Sequence, residues 1–163
     1  MNAELAEIFK TALLNEVEGQ KFYELAATQA HSEDARNSLL ELAAEEVIHQ
    51  DYIKKEMAAL KDEKLETTDY TQVKLPNPEI YKWGKVDKAE LGLSMSVYKI
   101  GMQMEKDAVE FYTKCKDLVG GDPRLLTLFD TLVKWENQHY LQFSKLYEQF
   151  RNEYWSDQQF APF

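Results

Sequence analysis

The chain has 163 residues, of which 44% are hydrophobic and 29% are charged, and its formal net charge at pH 7 is −10. This is the length of about one domain, and it allows a sizeable buried core. Because the net negative charge repels nucleic-acid backbones and anionic lipid surfaces, we expect neither nucleic acid nor a membrane as partner.

The first two predicted helices each place ionisable side chains on an apolar face. Helix one covers about residues 3–30, and Glu16 lies within its stripe of apolar and small residues. Helix two covers about residues 33–60, where Glu46 and His49 fill a gap in the apolar stripe. Ionisable residues on the buried face of a helix need a partner or a function.

The third and fourth predicted helices repeat this arrangement. Helix three covers about residues 88–118, and Glu105 occupies its apolar face. Helix four covers about residues 123–152, where apolar residues recur at heptad spacing. Glu136 and His139 are the polar members of that stripe. All four helices are therefore predicted to direct carboxylates, and two of them imidazoles, into one core.

Turn and capping residues separate the predicted helices. Ser32 is a suitable N-cap for helix two, and Asp87 with Glu90 forms a variant capping box before helix three. Residues 120–123, Gly-Gly-Asp-Pro, combine a helix stop, an N-cap and a first-turn proline. The long connection at residues 61–87 contains two prolines and could run the whole length of a bundle.

Two short turns and one long connection predict the topology. We expect an all-α four-helix bundle in up-down-down-up order, with the crossover between helices two and three. Nothing in the crossover resembles a second domain, so residues 1–163 are predicted to form a single domain. The first residues lack the basic and then apolar character of a secretory signal, and a cytoplasmic protein is expected.

One sequence pattern occurs twice. In each copy a glutamate is followed after seven residues by a tyrosine, and after 30 or 31 residues by a Glu-x-x-His motif. The first copy consists of Glu16, Tyr23, Glu46 and His49, and the second of Glu105, Tyr112, Glu136 and His139. A repeat of this kind indicates two copies of one helical hairpin.

The spacing of the repeated residues suits a pair of metal ions. Residues three apart lie on one helix face, so each Glu-x-x-His motif can direct both side chains at one point. Four carboxylates and two imidazoles suffice for two divalent ions, whose four positive charges balance the four carboxylates. Without metal, carboxylates clustered in a desolvated core would repel one another. The predicted ligands are Glu16, Glu46, His49, Glu105, Glu136 and His139.

These motifs, together with residues 42–49, Leu-Ala-Ala-Glu-Glu-Val-Ile-His, resemble the rubrerythrin-type diiron proteins of the ferritin-like superfamily over residues 3–152. The resemblance implies two iron ions per chain, while the ligand types also suit manganese or zinc. It implies that Glu16 and Glu105 are terminal ligands, that Glu46 and Glu136 bridge the two metals, and that His49 and His139 each bind one metal. It also implies that Tyr23 and Tyr112 are catalytic candidates, whose hydroxyls would hydrogen-bond to ligand carboxylates.

Two features depart from the family pattern. Rubrerythrins usually carry a four-cysteine rubredoxin domain, which is missing from this sequence, so electrons are expected from an external electron-donor protein. Peroxidase members carry an extra glutamate three residues after the second terminal ligand, and here that residue is Ala108. Asp107 lies about 200° around the helix from Glu105, on the wrong face to replace it.

The resemblance implies an oxidoreductase that reacts with oxygen or hydrogen peroxide, in an oxidative-stress or iron-handling role. Three alternatives stay open: a ferroxidase for iron storage, a diiron monooxygenase acting on a small organic substrate, and a non-enzymatic metal-binding bundle. A homodimer is the expected assembly. The aromatic tail at residues 153–163 would either pack on the bundle or join a dimer contact.

The remaining candidate residues have simpler interpretations. Glu18, Glu45 and Glu110 lie off the apolar stripes and are expected to face water. His31 lies at a predicted turn and is expected to be solvated. The single cysteine, Cys115, excludes an internal disulfide and a four-cysteine metal site, and is expected to be a small buried hydrophobic residue.

Overall fold

The computed structural model describes residues 3–30, 32–61, 69–73 and 91–157. Within these ranges the chain forms four long α-helices, one turn of 3-10 helix at Tyr70–Gln72, and no strand. The helices are α1 (Ala3–Gln29), α2 (Glu33–Ala59), α3 (Leu91–Leu118) and α4 (Pro123–Asp157). The prediction of an all-α four-helix fold is confirmed. The predictions for His31, for the capping box at Asp87 and Glu90 and for residues 158–163 lie outside the described residues.

The helix boundaries follow from local capping. The Ser32 hydroxyl accepts a hydrogen bond from the Ala35 N–H at 3.1 Å, which makes it the N-cap of α2, as predicted. Gly120 and Gly121 have φ values of 66° and 81°, a left-handed backbone that favours glycine, and they follow the end of α3. Among the described helices, none is long and apolar enough to cross a membrane.

The helix α4 is longer than the sequence suggested. It begins at Pro123, as predicted, but continues to Asp157, five residues beyond the predicted end near residue 152. Gln149 donates a hydrogen bond to Glu153 at 3.2 Å across one helical turn, which supports this extension. Trp155 lies within the extension and is 45% exposed.

The helices pack as two hairpins, α1 with α2 and α3 with α4. The hairpins meet where α1 contacts α3 and where α2 contacts α4. Tyr23 bonds Glu105, and Glu16 bonds Tyr112, so residue numbers rise along α1 while they fall along α3. These two helices are therefore antiparallel, as the up-down-down-up order requires, while that order as a whole stays a prediction.

Two hydrophobic clusters fill the bundle on either side of a polar central layer. One cluster includes Tyr23, Leu39, Leu42, Tyr98, Phe143, Leu146 and Phe150. The other includes Phe9, Ile53, Tyr112, Leu125, Leu128, Phe129 and Leu132. Removing a large side chain from either cluster is expected to cost about 2–5 kcal/mol. This burial stabilises a scaffold that can hold ionisable groups in its middle.

The described part of the crossover docks against α2 and α4. Tyr70 is 3% exposed, and its hydroxyl donates a hydrogen bond to the fully buried Glu56 at 3.0 Å. Thr131 of α4 donates to the Tyr70 carbonyl oxygen at 3.4 Å. Met57 and Leu60 of α2 pack against the second cluster but are only half-buried, whereas Glu56 is fully buried.

Candidate metal centre

The six candidate ligands converge in the polar layer between the two hydrophobic clusters. Each helix contributes a glutamate, and α2 and α4 each add a histidine one turn further along. No member of the set is more than 4% exposed. The structure therefore brings together all six: Glu16, Glu46, His49, Glu105, Glu136 and His139.

The six side chains form two overlapping groups. In each group four side chains offer ligand atoms that all lie within 4.8 Å of one another. One group is Glu16, Glu46, His49 and Glu136, and the other is Glu46, Glu105, Glu136 and His139. Glu46 and Glu136 belong to both groups, and each group has one further glutamate and one histidine. This division matches the terminal and bridging roles that the sequence suggested, and those roles stay a prediction.

In the first group, three carboxylate oxygens lie close to one nitrogen of His49. Its Nδ1 atom lies 2.9 Å from Glu16 Oε2, 2.9 Å from Glu136 Oε1 and 3.2 Å from Glu46 Oε2. Two atoms bound to one ion at about 2.1 Å and at a right angle are about 3.0 Å apart. The separations in this group are therefore those of ligand atoms around a single divalent ion.

The second group is slightly wider. His139 Nδ1 lies 3.5 Å from both Glu105 Oε1 and Glu136 Oε2, which is too long for a good hydrogen bond. This nitrogen and both Glu136 oxygens are buried without a hydrogen-bond partner among the described residues. Glu136 Oε1 approaches His49 within 2.9 Å, but outside hydrogen-bond geometry. Buried acceptors without donors are costly, and a bound cation would satisfy all of them.

The ionisable groups perturb one another strongly in the absence of metal. Burial raises the pKa of Glu105 to about 7, against the attraction of His139. Burial and the neighbouring carboxylates of Glu136 and Glu16 raise the pKa of Glu46 well above its usual range. Burial lowers the pKa of His49, but Glu136 and Glu16 outweigh it, and the net shift is upward. The metal-free cluster therefore retains protons that a cation would displace.

Two tyrosines fix the glutamates of the opposite hairpin. The Tyr23 hydroxyl of α1 donates a hydrogen bond to Glu105 of α3, and the Tyr112 hydroxyl of α3 donates to Glu16 of α1. Burial raises the pKa of both hydroxyls well above the usual value, so both stay protonated donors. Each candidate terminal glutamate thus has one oxygen oriented by a tyrosine.

Comparison with known families places this geometry in context. The rubrerythrin family model matches residues 7–147 of the 163. The chain belongs to the rubrerythrin family. Comparison with curated proteins found no match, and comparison with solved structures found none either. The matched region includes all six candidate ligands and both tyrosines, and family membership together with the buried carboxylate and histidine groups supports metal binding of the diiron type.

One residue of this rubrerythrin domain has an environment that the sequence interpretation missed. Glu45 was expected to face water, but it is only 6% exposed. Its Oε2 atom accepts a hydrogen bond from Trp135 Nε1 at 2.5 Å and lies 2.9 Å from His139 Nε2. Glu45 precedes His49 by four residues and so shares its helix face, a signal that could have identified it. Glu18 and Glu110 are exposed, as expected.

A cavity of about 260 Å³ connects the candidate metal centre with the surface between α1 and α3. Its inner wall includes Glu46, Glu105 and Glu136. Gly19 and Ala108 also line it, and neither has a bulky side chain to fill the space. Ala108 is the position where peroxidase members of the rubrerythrin family carry the additional glutamate, and here it leaves open volume beside Glu105.

The mouth of this cavity is polar. The exposed acids Glu18 and Asp107 and the half-buried Asn15 line its outer part. Asp107 was predicted to point away from the ligand face, and the structure places it at this exposed rim. Met104 adds an apolar wall, so the lining is mixed. A cavity of this size has room for water, oxygen, peroxide or a hydrated cation.

Proposed function

We propose that this rubrerythrin-family protein is a diiron oxidoreductase that reduces oxygen or hydrogen peroxide with electrons from an external electron-donor protein. The observation that carries the proposal is the pair of carboxylate–histidine groups that share Glu46 and Glu136. Two adjacent irons in this donor set would supply two electrons to one oxidant by passing from the ferrous to the ferric state. Manganese or zinc would fit the same ligands, and elemental analysis of the purified protein distinguishes them.

The residues around the centre have separate tasks in this proposal. Glu16 and Glu105 would each hold one metal ion, and Glu46 and Glu136 would contribute to both. Because a carboxylate can bind through one or both oxygens, the shared pair can follow a change in metal charge without movement of the helices. The tyrosine bonds to Glu16 and Glu105 restrict that movement to the shared pair.

The protons that the proposed reaction consumes can enter through the cavity. Reduction of hydrogen peroxide to two waters consumes two electrons and two protons, and the cavity joins Glu105 to the surface. Solvent protons can therefore reach the carboxylates without passing through the hydrophobic clusters.

A direct experiment separates redox chemistry from simple metal binding. Metal-free protein is prepared anaerobically, supplied with two ferrous ions per chain and mixed with oxygen or hydrogen peroxide while near-ultraviolet and visible absorbance is followed. We expect uptake of two irons and an absorbance increase with at least one oxidant. Uptake of two irons without any optical change would overturn the redox proposal and leave a non-enzymatic metal-binding bundle.

Matched glutamine variants make this experiment specific. Glu46→Gln removes one negative charge from both candidate positions and should abolish oxidant turnover. Glu56→Gln changes an equally buried glutamate ten residues further along α2 and keeps an oxygen that can accept from Tyr70. The control should retain turnover. Equal turnover in both variants would exclude Glu46 from the reaction.

A second candidate function, iron oxidation for storage, is favoured by the acidic cavity mouth. Glu18 and Asp107 would attract ferrous ions to the opening that leads to Glu105. Storage requires a closed shell of many subunits around a mineral. A mass in solution that corresponds to a monomer or a dimer would overturn this candidate, whereas a large closed assembly would support it.

A further inference from the structure

The repeat that produces the two halves of the candidate metal centre places different residues at one position beside the two histidines. The offset of 90 residues that relates His49 to His139 also relates Glu45 to Trp135. One half of the centre therefore has a buried acid in α2 where the other half has a buried indole in α4. These two residues contact each other, and each contacts one imidazole, Glu45 that of His139 and Trp135 that of His49.

Of the two imidazoles, Glu45 contacts that of His139. An indole nitrogen is a donor only, so Glu45 Oε2 must accept the hydrogen bond from Trp135 Nε1 at 2.5 Å. The same oxygen lies 2.9 Å from His139 Nε2, which then donates its N–H. This fixes the His139 tautomer that leaves Nδ1 free to bind a metal ion, and Nδ1 lies 3.5 Å from both Glu105 Oε1 and Glu136 Oε2. A carboxylate behind an imidazole also raises its basicity as a metal ligand.

His49 has no such support among the described residues. Its Nε2 atom is buried and lacks a hydrogen-bond partner there. The ring instead packs edge-on against Trp135, with ring centroids 4.5 Å apart and planes at 80°. The indole limits the orientation of this ring but accepts no proton from it. His49 is therefore the weaker donor, even though its Nδ1 atom is surrounded by carboxylates like that of His139.

We propose that Glu45 is a positioning residue that makes the two metal positions unequal, so that the position formed with Glu105 and His139 binds its divalent ion more tightly and fills first. Trp135 holds Glu45 in place and separates it from His49. This inference rests on the proposed pair of metal ions and adds an order of filling to it.

The test is a titration of the metal-free full chain with cobalt(II), followed by calorimetry and visible absorption. The parent protein should bind two ions in two resolved steps. In Glu45→Gln the tighter step should weaken by about 10–100-fold, the usual effect of losing an outer partner of a ligating histidine, while the weaker step stays unchanged. Trp135→Phe, which removes the indole donor but retains an aromatic ring, should weaken the same step and provides a second test if Glu45→Gln does not fold.

Three further variants assign the steps and control for burial. Glu105→Ala should abolish the tighter step and Glu16→Ala the weaker one, because each residue belongs to one group. Glu56→Gln alters another buried glutamate of α2 and should change neither step. Circular dichroism of each metal-free variant should show the helical content of the parent.

The outcomes separate this inference from the proposed function. Two equal steps in the parent, or a Glu45→Gln variant in which the weaker step changes as much as the tighter one, would overturn the inequality and leave the metal pair intact. Loss of the tighter step in Glu16→Ala would overturn the assigned order. Failure of the parent to bind two ions would overturn the metal pair itself, and the proposed function with it.

Discussion

The Tyr23 hydroxyl of α1 donates a hydrogen bond to the Glu105 carboxylate of α3, and this contact joins the two hairpins at the centre of the bundle. Tyr112 and Glu16 make the reciprocal contact. Each copy of the repeated motif therefore supplies the tyrosine that orients the glutamate of the other copy. The candidate metal centre and the hairpin interface are built from the same residues, so changes in one should be measurable in the other.

The first prediction concerns this contact. Tyr23→Phe leaves a buried carboxylate oxygen of Glu105 without its donor, which should lower the free energy of unfolding by about 1–3 kcal/mol. Urea denaturation of the metal-free protein measures the change. Tyr154→Phe is the matched control, because Tyr154 is 40% exposed and its variant should differ by less than about 0.5 kcal/mol. Parent-like stability of Tyr23→Phe would show that the bond contributes nothing to folding.

The second prediction concerns access to the centre. Ala108→Leu would fill the cavity beside Glu105 while leaving every candidate ligand in place. We expect unchanged metal stoichiometry, and oxidation of the ferrous-loaded protein slowed on the order of tenfold, a barrier increase of about 1.4 kcal/mol. Stopped-flow absorbance measures the rate. Ala58→Leu makes the same change at an exposed position of α2, and this control should oxidise at the parent rate. Equal oxidation rates in the two variants would exclude this cavity as the route of the oxidant.

The third prediction concerns pH and the metal-free protein. The pKa of Glu105 is raised to about 7 by burial, whereas an unfolded glutamate titrates near about 4.3. Between these pH values the folded state binds more protons than the unfolded state. The stability that Glu105 contributes is therefore complete below about pH 4 and is lost as pH rises through about 7. The raised pKa values of Glu46, His49 and His139 act in the same direction. The pKa of Glu136 is lowered, so the stability that it contributes changes only below about pH 4.3.

We therefore expect the free energy of unfolding of the metal-free protein to fall by about 2–3 kcal/mol between pH 5 and pH 8 through Glu105 alone. Urea denaturation at a series of pH values measures the slope. Glu105→Gln cannot titrate and should show a shallower slope over the same range. A parent slope that is flat, or that the Gln variant reproduces, would contradict the assignment of the raised pKa to this residue.

The fourth prediction concerns Cys115, which is 1% exposed and lies in the hydrophobic cluster that includes Tyr112 and Leu125. Burial raises the pKa of its thiol to about 12, so the reactive thiolate is scarce at pH 8. Iodoacetamide should modify the native protein far more slowly than the urea-unfolded protein, in which a thiol titrates near about 8.5. Mass spectrometry follows the reaction. Rapid modification of the native protein would contradict the interpretation of Cys115 as a buried hydrophobic residue.

Most helix boundaries could be predicted from the sequence because the residues that determine them are local. Apolar periodicity, the Ser32 cap and the glycines at residues 120 and 121 determine where helices begin and end. The end of α4 was less accessible, since no proline or glycine terminates the helix between residues 152 and 157. Helix ends without a breaker are set by pairs such as Gln149 with Glu153.

The sequence by itself determined which six side chains meet at the centre, because residues three and seven apart share a helix face and the motif is repeated. It did not determine the surroundings of Glu45 and Glu56. Both lie at the edge of an apolar stripe, and successive residues point about 100° apart, so such positions can face either water or a neighbouring element. Only the tertiary structure placed Trp135 of α4 against one and Tyr70 of the crossover against the other, since contacts between distant segments depend on how the helices pack.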